Sequence, residues 1–399
     1  MSTALSAAAD RGAPGPAARK PSRSGRPCEP GRALLTMGVE EEFLLVDRLT
    51  RAPAGRAPQV IAATSGALGP QVQHEFFTAQ VEVCTRPTSD SSRLRAELAW
   101  LRDNVSRAAS DEGCLLVASG TPVIPPEGPL EVTAEPRYAR MVDRYARVLG
   151  DLRQVVCGCH IHIGVPDRGR ALDLANRMRP WLPVLQALAA NSPFDRGTDS
   201  GYASWRSVAH ARWPGVGPAP VLDEDGYERT VETLVRTGHL LDRRMVYWYA
   251  RPSEHVPTLE IRVADVNADL DVVVLLAALV RGLAASLVSE AEAGVPPPVV
   301  GSRALRTAHH LAALHGLEGD GLDVGSGRRV PAWDLVGALL ERAAPGLDAA
   351  GDLPMAATVL GRLRLGGGGA CRQRAAHRRA GSLYDVVDTL AATTSAQEG

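Results

Sequence analysis

The chain has 399 residues, 45% of them hydrophobic, and a formal charge of −1. That suffices for a large core, and it lacks the basic excess expected of a nucleic-acid or acidic-membrane partner. Its 44 basic residues include one lysine, Lys20, which excludes a Walker-type phosphate loop, a kinase strand lysine and a pyridoxal Schiff base, so nucleotide chemistry here must run on arginine and metal ions.

Residues 1–34, rich in Ala, Pro, Gly, Arg and Ser, read as a disordered tail without the basic start and apolar run of a signal peptide. Residues 35–395 read as a single domain. Strands are expected over 36–47 and 80–85, and a helix over 91–109 with Leu94, Leu98 and Leu101 on one face. A buried strand over 114–119 precedes a proline-rich loop to about 135. A helix over 137–149 follows, with Tyr138, Met141, Tyr145 and Val148 at helical spacing. The pattern continues with a strand over 154–165 and a long helix over 171–190 interrupted by Pro180 and Pro183. A loop over 191–227 carries Trp205, Arg206, Arg212 and Trp213; loops of that length inside a domain are usually functional or disordered. Then come a helix over 228–240, strands over 245–250 and 258–264, and a strong helix over 269–290. The remainder to 392 reads as helices broken by a glycine run at 366–369. The longest apolar run, 272–280, stops at Arg281 and is too short to span a bilayer. The fold class is α+β, a mainly antiparallel sheet with helices packed on one side.

Cysteines at 28, 84, 114, 157, 159 and 371 form no disulfide framework. Cys157 and Cys159 beside His160 read as small buried strand residues of a reducing cytoplasm.

One pattern recurs in four strands. Side chains alternate across a strand, so Glu40 and Glu42 share a face opposite Val39 and Phe43. Glu82 opposes Val81 and Val83. His160 and His162 oppose Ile161 and Ile163, and Glu260 and Arg262 oppose Leu259, Ile261 and Val263. Alternation usually marks a solvent-facing strand, but glutamate is a poor strand former. Converging carboxylates repel and lose hydration, and need cations. Carboxylates with imidazoles suit Mg²⁺ or Mn²⁺ better than a structural zinc. Arg196, Arg206 and Arg212 in the long loop, and Arg251 before Pro252, offer guanidinium forks for phosphate or carboxylate.

The segments GVEEEF (38–43), QVEVCT (80–85), CHIHIG (159–164), SPFDRGTDSGYASWRS (192–207), ARPSEHVPTLEIRV (250–263) and GSLYDVVD (381–388) resemble, in order, the motifs of YbdK-type carboxylate–amine ligases of the glutamate–cysteine ligase type 2 family. The resemblance implies a glutamine-synthetase-like catalytic fold whose curved sheet holds ATP and metal ions. It implies Glu40, Glu42, Glu82, His162 and Glu260 as Mg²⁺ (or Mn²⁺) ligands, with Glu75 a further candidate. Arg206 and Arg262 would be catalytic, and both, with Arg251, would bind the cofactor ATP. The implied reaction forms an amide from an amino-acid carboxylate, such as the γ-carboxylate of glutamate, and an amine such as cysteine, through an acyl phosphate. The chain departs from the family where Pro122-Val123, not His-Pro, follows Gly120-Thr121.

Two other readings stand beside the ligase. One is a metal-dependent hydrolase built on His160 and His162, although His74, His210, His239 and His255 show no ligand spacing. The other is a non-catalytic nucleotide or amino-acid sensor. The expected partners are small-molecule substrates, with no nucleic acid and no membrane, and self-association is left open.

Overall fold

A computed structural model describes residues 34–395; the expected tail lies outside the described residues except for Leu34. The chain begins β1 Met37–Asp47, α1 Ala57–Leu68, β2 Val72–His74, β3 Gln80–Cys84, α2 Ser91–Asp111, β4 Cys114–Val117, α3 Pro136–Leu149 and β5 Gly158–Gly164. It continues with α4 Arg168–Met178, α5 Leu182–Ala189, the hairpin β6 Phe194–Asp195 and β7 Thr198–Asp199, α6 Trp205–His210, α7 Glu224–Arg236, β8 Ala250–Pro252 and β9 Thr258–Asp265. The last third holds α8 Leu270–Glu292, α9 Ser302–His315, the hairpin β10 Asp320–Asp323 and β11 Arg328–Pro331, then α10 Ala332–Ala349, α11 Leu353–Gly366, α12 Gly369–Ala380 and α13 Leu383–Ser395.

The main sheet runs β2-β3-β1-β5-β9-β8, with β4 also on β1, and every pair is antiparallel. β1 is its spine. Glu40 pairs with Cys84 on one edge and His160 on the other, and further along Leu44 pairs with Gln80 and Val117. Alternation gives the sheet an apolar face. Val39, Ile161, Ile163, Leu259 and Ile261 pack with Leu275 and Leu279 of α8, and Phe43, Val81 and Val83 pack with Leu101 and Val105 of α2. Asp90 caps α2, accepting from the backbone N–H of Ser92 and Arg93, and fixes where that helix starts.

Several expectations are corrected. The helix expected over 171–190 is two, because Pro180 falls in the break and Pro183 sits in the first turn of α5, where proline needs no helical partner. The 191–227 loop contains the β6–β7 hairpin, α6 and the start of α7. The strand expected over 245–250 begins only at Ala250, as β8; a 3-10 turn at Arg243–Met245 comes before it. Helix α1 and the β10–β11 hairpin had no counterpart in the pattern. The apolar run at 272–280 continues past Arg281 into a 23-residue helix that, by length and composition, could cross a membrane, but 78% of its most apolar window is buried inside the fold. Arg281 is tolerated there because it pairs with Asp352 and donates to the Ser89 carbonyl.

The middle glutamate of the Glu40-Glu41-Glu42 run points to the apolar side. Glu41 and Arg102 of α2 are both fully buried, joined by hydrogen bonds of 3.0 and 2.5 Å, and the guanidinium also donates to the Ala268 and Asn267 carbonyls at 2.9 and 2.7 Å. One side chain thus ties β1, α2 and the β9–α8 connection together. Removing one partner leaves a buried charge alone, so Arg102→Leu should cost about 3–5 kcal/mol in urea denaturation. The double variant Glu41→Leu/Arg102→Leu should recover most of that loss; equal losses in both would refute the buried-charge explanation.

Candidate active site

The opposite face of the sheet gathers the ionisable groups. Cross-strand register sets Glu42 opposite Glu82, Glu40 opposite His160, His162 opposite Glu260, and Glu260 opposite Arg251. Directly opposed residues share a face at about 4.5–5.5 Å between Cβ atoms, so the register alone forces these side chains together. His160 Nδ1 lies 3.2 Å from Glu40 Oε2 and 3.9 Å from Glu260 Oε1, and its Nε2 lies 3.7 Å from Glu42 Oε1. His162 Nε2 lies 3.2 Å from Glu40 Oε1, while its Nδ1 is 2.8 Å from the Thr258 hydroxyl.

Two groups of donors result. Glu40, His160 and Glu260 form one, and Glu42, Glu75 and Glu82 the other, each with atoms within 4.8 Å of one another. Their charge balance differs. Glu260 is buried, but Arg262 and Arg251 outweigh the desolvation and hold its carboxyl well below the usual range. Desolvation likewise opposes the ionised form of Glu40, and hydrogen bonds to His160 and His162 overcome it. In the second group the nearby cations do not outweigh burial and repulsion. Desolvation first, then repulsion from Glu42, pushes Glu75 up to about 7, and desolvation with repulsion from Glu40, Glu75 and Glu42 pushes Glu82 well up. Oxygen-rich donor sets with an excess of negative charge suit a hard divalent cation.

The arginines divide. Arg251 Nε donates to Glu260 at 2.9 Å and its Nη1 donates to the Val246 and Arg244 carbonyls at 2.8 and 3.1 Å, so those two donors are taken by the fold. Arg262 also pairs with Glu260, yet its buried Nε, like that of Arg206, finds no acceptor among the described residues. Buried unpaired donors beside a cluster of carboxylates fit an anionic ligand. Arg206 starts from α6, capped by Ser204, and reaches over β5. A Cβ on Gly158 would stand 2.4 Å from its Nη2, so only glycine leaves room there. Arg196 and Arg212 are exposed and do not join the group.

Asp265, Glu75 and His210 were missed by the strand pattern. In β9 an extra residue opposes His160, since Cys159 pairs with Ala264 but Ile161 with Ile261. This bulge reverses the alternation and turns Asp265 from the apolar face to the ionisable one. There it accepts from the Ser192 and Ser204 hydroxyls at 2.7 and 2.8 Å and lies 3.8 Å from Arg206 Nη1. Glu75 precedes β3 in irregular chain, and His210 ends α6. Both line a cavity of about 110 Å³ with Glu42, His160, Arg206 and Arg262 at its polar end and Phe76, Met141, Trp213 and Tyr247 around it. α3 and α6 thus border the ionisable face while the larger helices pack behind the sheet. Burial pushes the Cys157 and Cys159 thiols well up, which keeps them protonated and unsuited to metal.

The sequence profile of glutamate-cysteine ligase family 2 matches residues 36–389. A Saccharopolyspora erythraea protein named "Putative glutamate--cysteine ligase 2-1" is 45% identical over 365 residues, spanning 91% of this chain and 96% of its own. A Salinispora arenicola protein named "Putative glutamate--cysteine ligase 2" is 44% identical over 368 residues, spanning 92% and 96%. Among solved structures, a glutamate–cysteine ligase from Francisella tularensis in complex with AMP superposes with a TM-score of 0.69 at 11% identity, over 92% of this chain and 90% of that one. A bifunctional glutathione synthetase from Pasteurella multocida gives 0.67 at 17% identity, over 91% of this chain and 52% of that one. These structural likenesses establish a shared mixed fold of helices on an antiparallel sheet.

The raised carboxyl of Glu75 has a measurable sign. A folded-state value of about 7 against 4.5 means the folded protein holds a proton that the unfolded chain releases, so its contribution to stability is lost as pH rises through that window. In chelator, Glu75→Gln should therefore gain in melting temperature relative to the parent between about pH 5 and pH 7.5, and added Mg²⁺ should narrow the gap. A gap that stays constant with pH would contradict the assignment.

Proposed function

The chain belongs to glutamate-cysteine ligase family 2, and we propose that it is an ATP-dependent ligase joining an amino-acid carboxylate to an amine. The observation that carries this reading is the convergence of two carboxylate-rich groups with two buried, incompletely paired arginines on one sheet face. Glu40, Glu42, Glu82, His162 and Glu260, with Glu75 and His160, would hold divalent cations. Bound there, Mg²⁺ would neutralise phosphate charge and orient the transferring group.

The chain's own residues supply the rest. Arg206 and Arg262 direct donors at the phosphoryl group or the substrate carboxylate, and their forks match either anion. In the first step a carboxylate oxygen bonds to the γ-phosphorus of ATP as the bond to ADP breaks, giving an acyl phosphate. In the second, the amine nitrogen bonds to the acyl carbon as the C–O bond to phosphate breaks, and the nitrogen's proton passes to the departing phosphate, leaving the amide. An acyl phosphate is sensitive to water, and Phe76, Met141, Trp213 and Tyr247 provide an apolar surround at the cavity. Neither step needs a lysine or a protein nucleophile, in keeping with a described fold whose buried thiols are protonated. Glutamate and cysteine are the first substrates to try.

ADP release from Mg·ATP should require both a carboxylate donor and an amine. Arg206→Ala should lower kcat by about 100-fold, Arg206→Lys should restore little because a point charge does not reproduce the fork, and Gly158→Ala should mimic the loss by displacing the guanidinium. Turnover without any amine, or full activity in Arg206→Ala, would refute the reading.

A further inference from the structure

Gln154 stands between two cavities. On its inner side is the cavity of about 110 Å³ beside Arg206 and Arg262. On its outer side is one of about 240 Å³, with Pro122 and Pro126 in its wall and Asp151, Arg153, Asp195 and Arg196 at its edge. The inner cavity is the smaller of the two. Gln154 belongs to both walls, so a substrate longer than the inner cavity passes along it into the outer one.

The outer chamber's chemistry is distinct. Its four charged side chains comprise two of each sign and are loosely paired, Arg153 Nε at 3.4 Å from Asp151 and Arg196 Nε at 4.0 Å from Asp195. Solvated pairs of this kind are worth little, so a ligand carrying both signs of charge can displace them. Both arginines come from tight turns that hold a non-glycine residue in the left-handed region, Leu152 at φ 57° and Arg196 itself at φ 48°. Gly197 follows at φ 77°, a conformation that favours glycine. Such backbone is retained where the surroundings fix it, and it clusters at ligand clamps. Pro122, where the chain departs from the His-Pro pattern, lines this wall with a ring that carries no proton donor.

From this juxtaposition we infer that one organic substrate is elongated, its reacting group in the inner cavity, its middle against the Gln154 carboxamide, and a zwitterionic end held between Arg153 and Arg196 on one side and Asp151 and Asp195 on the other. The inference rests on the ligase reading and names where that reaction's amino-acid substrate is read for specificity. Gln154 can donate and accept, which suits a substrate crossing the junction with an amide or carboxylate.

The test measures ADP release with proteinogenic amino acids and small amines as probes, determining KM for each organic substrate and for ATP. Two variants are compared with the parent: Gln154→Trp, which fills the junction, and Arg196→Glu, an exposed charge reversal that leaves the fold intact. Each should raise KM for the same amino-acid substrate by about tenfold or more, with kcat within about twofold and KM for ATP unchanged. If Gln154→Trp does not fold, Arg196→Glu alone decides. Unchanged KM values in an active enzyme, or a rise for ATP instead, overturn the chamber assignment and leave the ligase reading standing. No ATP-dependent turnover by the parent with any pair removes the ligase reading, and this inference with it.

Discussion

Glu40, Glu42, Glu75, Glu82 and Glu260 meet on one side of a single sheet, against Arg251 and Arg262, which are already committed to Glu260. Like charges this close in a poorly hydrated space oppose folding unless protons or cations intervene. The fold meets that constraint in two ways. Around Glu40 and Glu260 it brings in imidazoles and guanidinia, so those carboxyls stay ionised. Around Glu75 and Glu82 the cations it brings in are outweighed by burial and by the neighbouring glutamates, and the cost falls on the carboxyls themselves, which are driven toward the protonated form. A sheet face whose carboxylates outnumber the cations around them is the kind of surface that would take hard metal ions. Donors left unpaired on Arg206 and Arg262 extend the same logic to an anion beside them.

Holding that face together demands strength behind it. The apolar face of β1, β5 and β9 rests on α8, a helix so uniformly hydrophobic that burial alone accounts for its composition. Where α10 crosses α8, a Cβ on Gly346 would stand 2.3 Å from the Gly282 carbonyl oxygen, so the two backbones meet without intervening side chains. Arg102 fastens Glu41 to the β9–α8 connection from behind, while Arg251 fastens Glu260 from the front. Adjacent strands carrying metal-type ligands are thus fixed by charge pairs on both sides of the sheet, which limits the side-chain motion that would blur a coordination geometry.

Much of the site was legible because its strands obey a period of two. Glu40 with Glu42, and His160 with His162, needed only alternation to be placed on one face, and the family resemblance added the 192–207 loop and the 381–388 segment to the strand motifs. What escaped had a local physical reason. Asp265 sits on the wrong parity for a regular strand, and only the bulge opposite His160 brings it round. Glu75 and His210 lie where no periodicity operates, before a strand and at the end of a six-residue helix. α1 is rich in alanine and only weakly two-faced, so its spacing gave little signal. Glu41 was hidden by its neighbours, since three consecutive glutamates obscure the fact that the middle one faces the core. The strand expected at 245–250 failed because its apolar residues, Met245, Val246 and Trp248, pack into a separate small cluster with Met141 and Tyr227 rather than into the sheet.

The most direct measurement is a Mn²⁺ titration followed by electron paramagnetic resonance, in the presence of a non-hydrolysable ATP analogue. Assigning both donor groups to cations predicts saturable binding of at least two ions, with Glu82→Gln removing one and leaving the fold intact. Absence of saturable Mn²⁺ binding, or binding indifferent to Glu82→Gln, would contradict the assignment of this face to cations and phosphate.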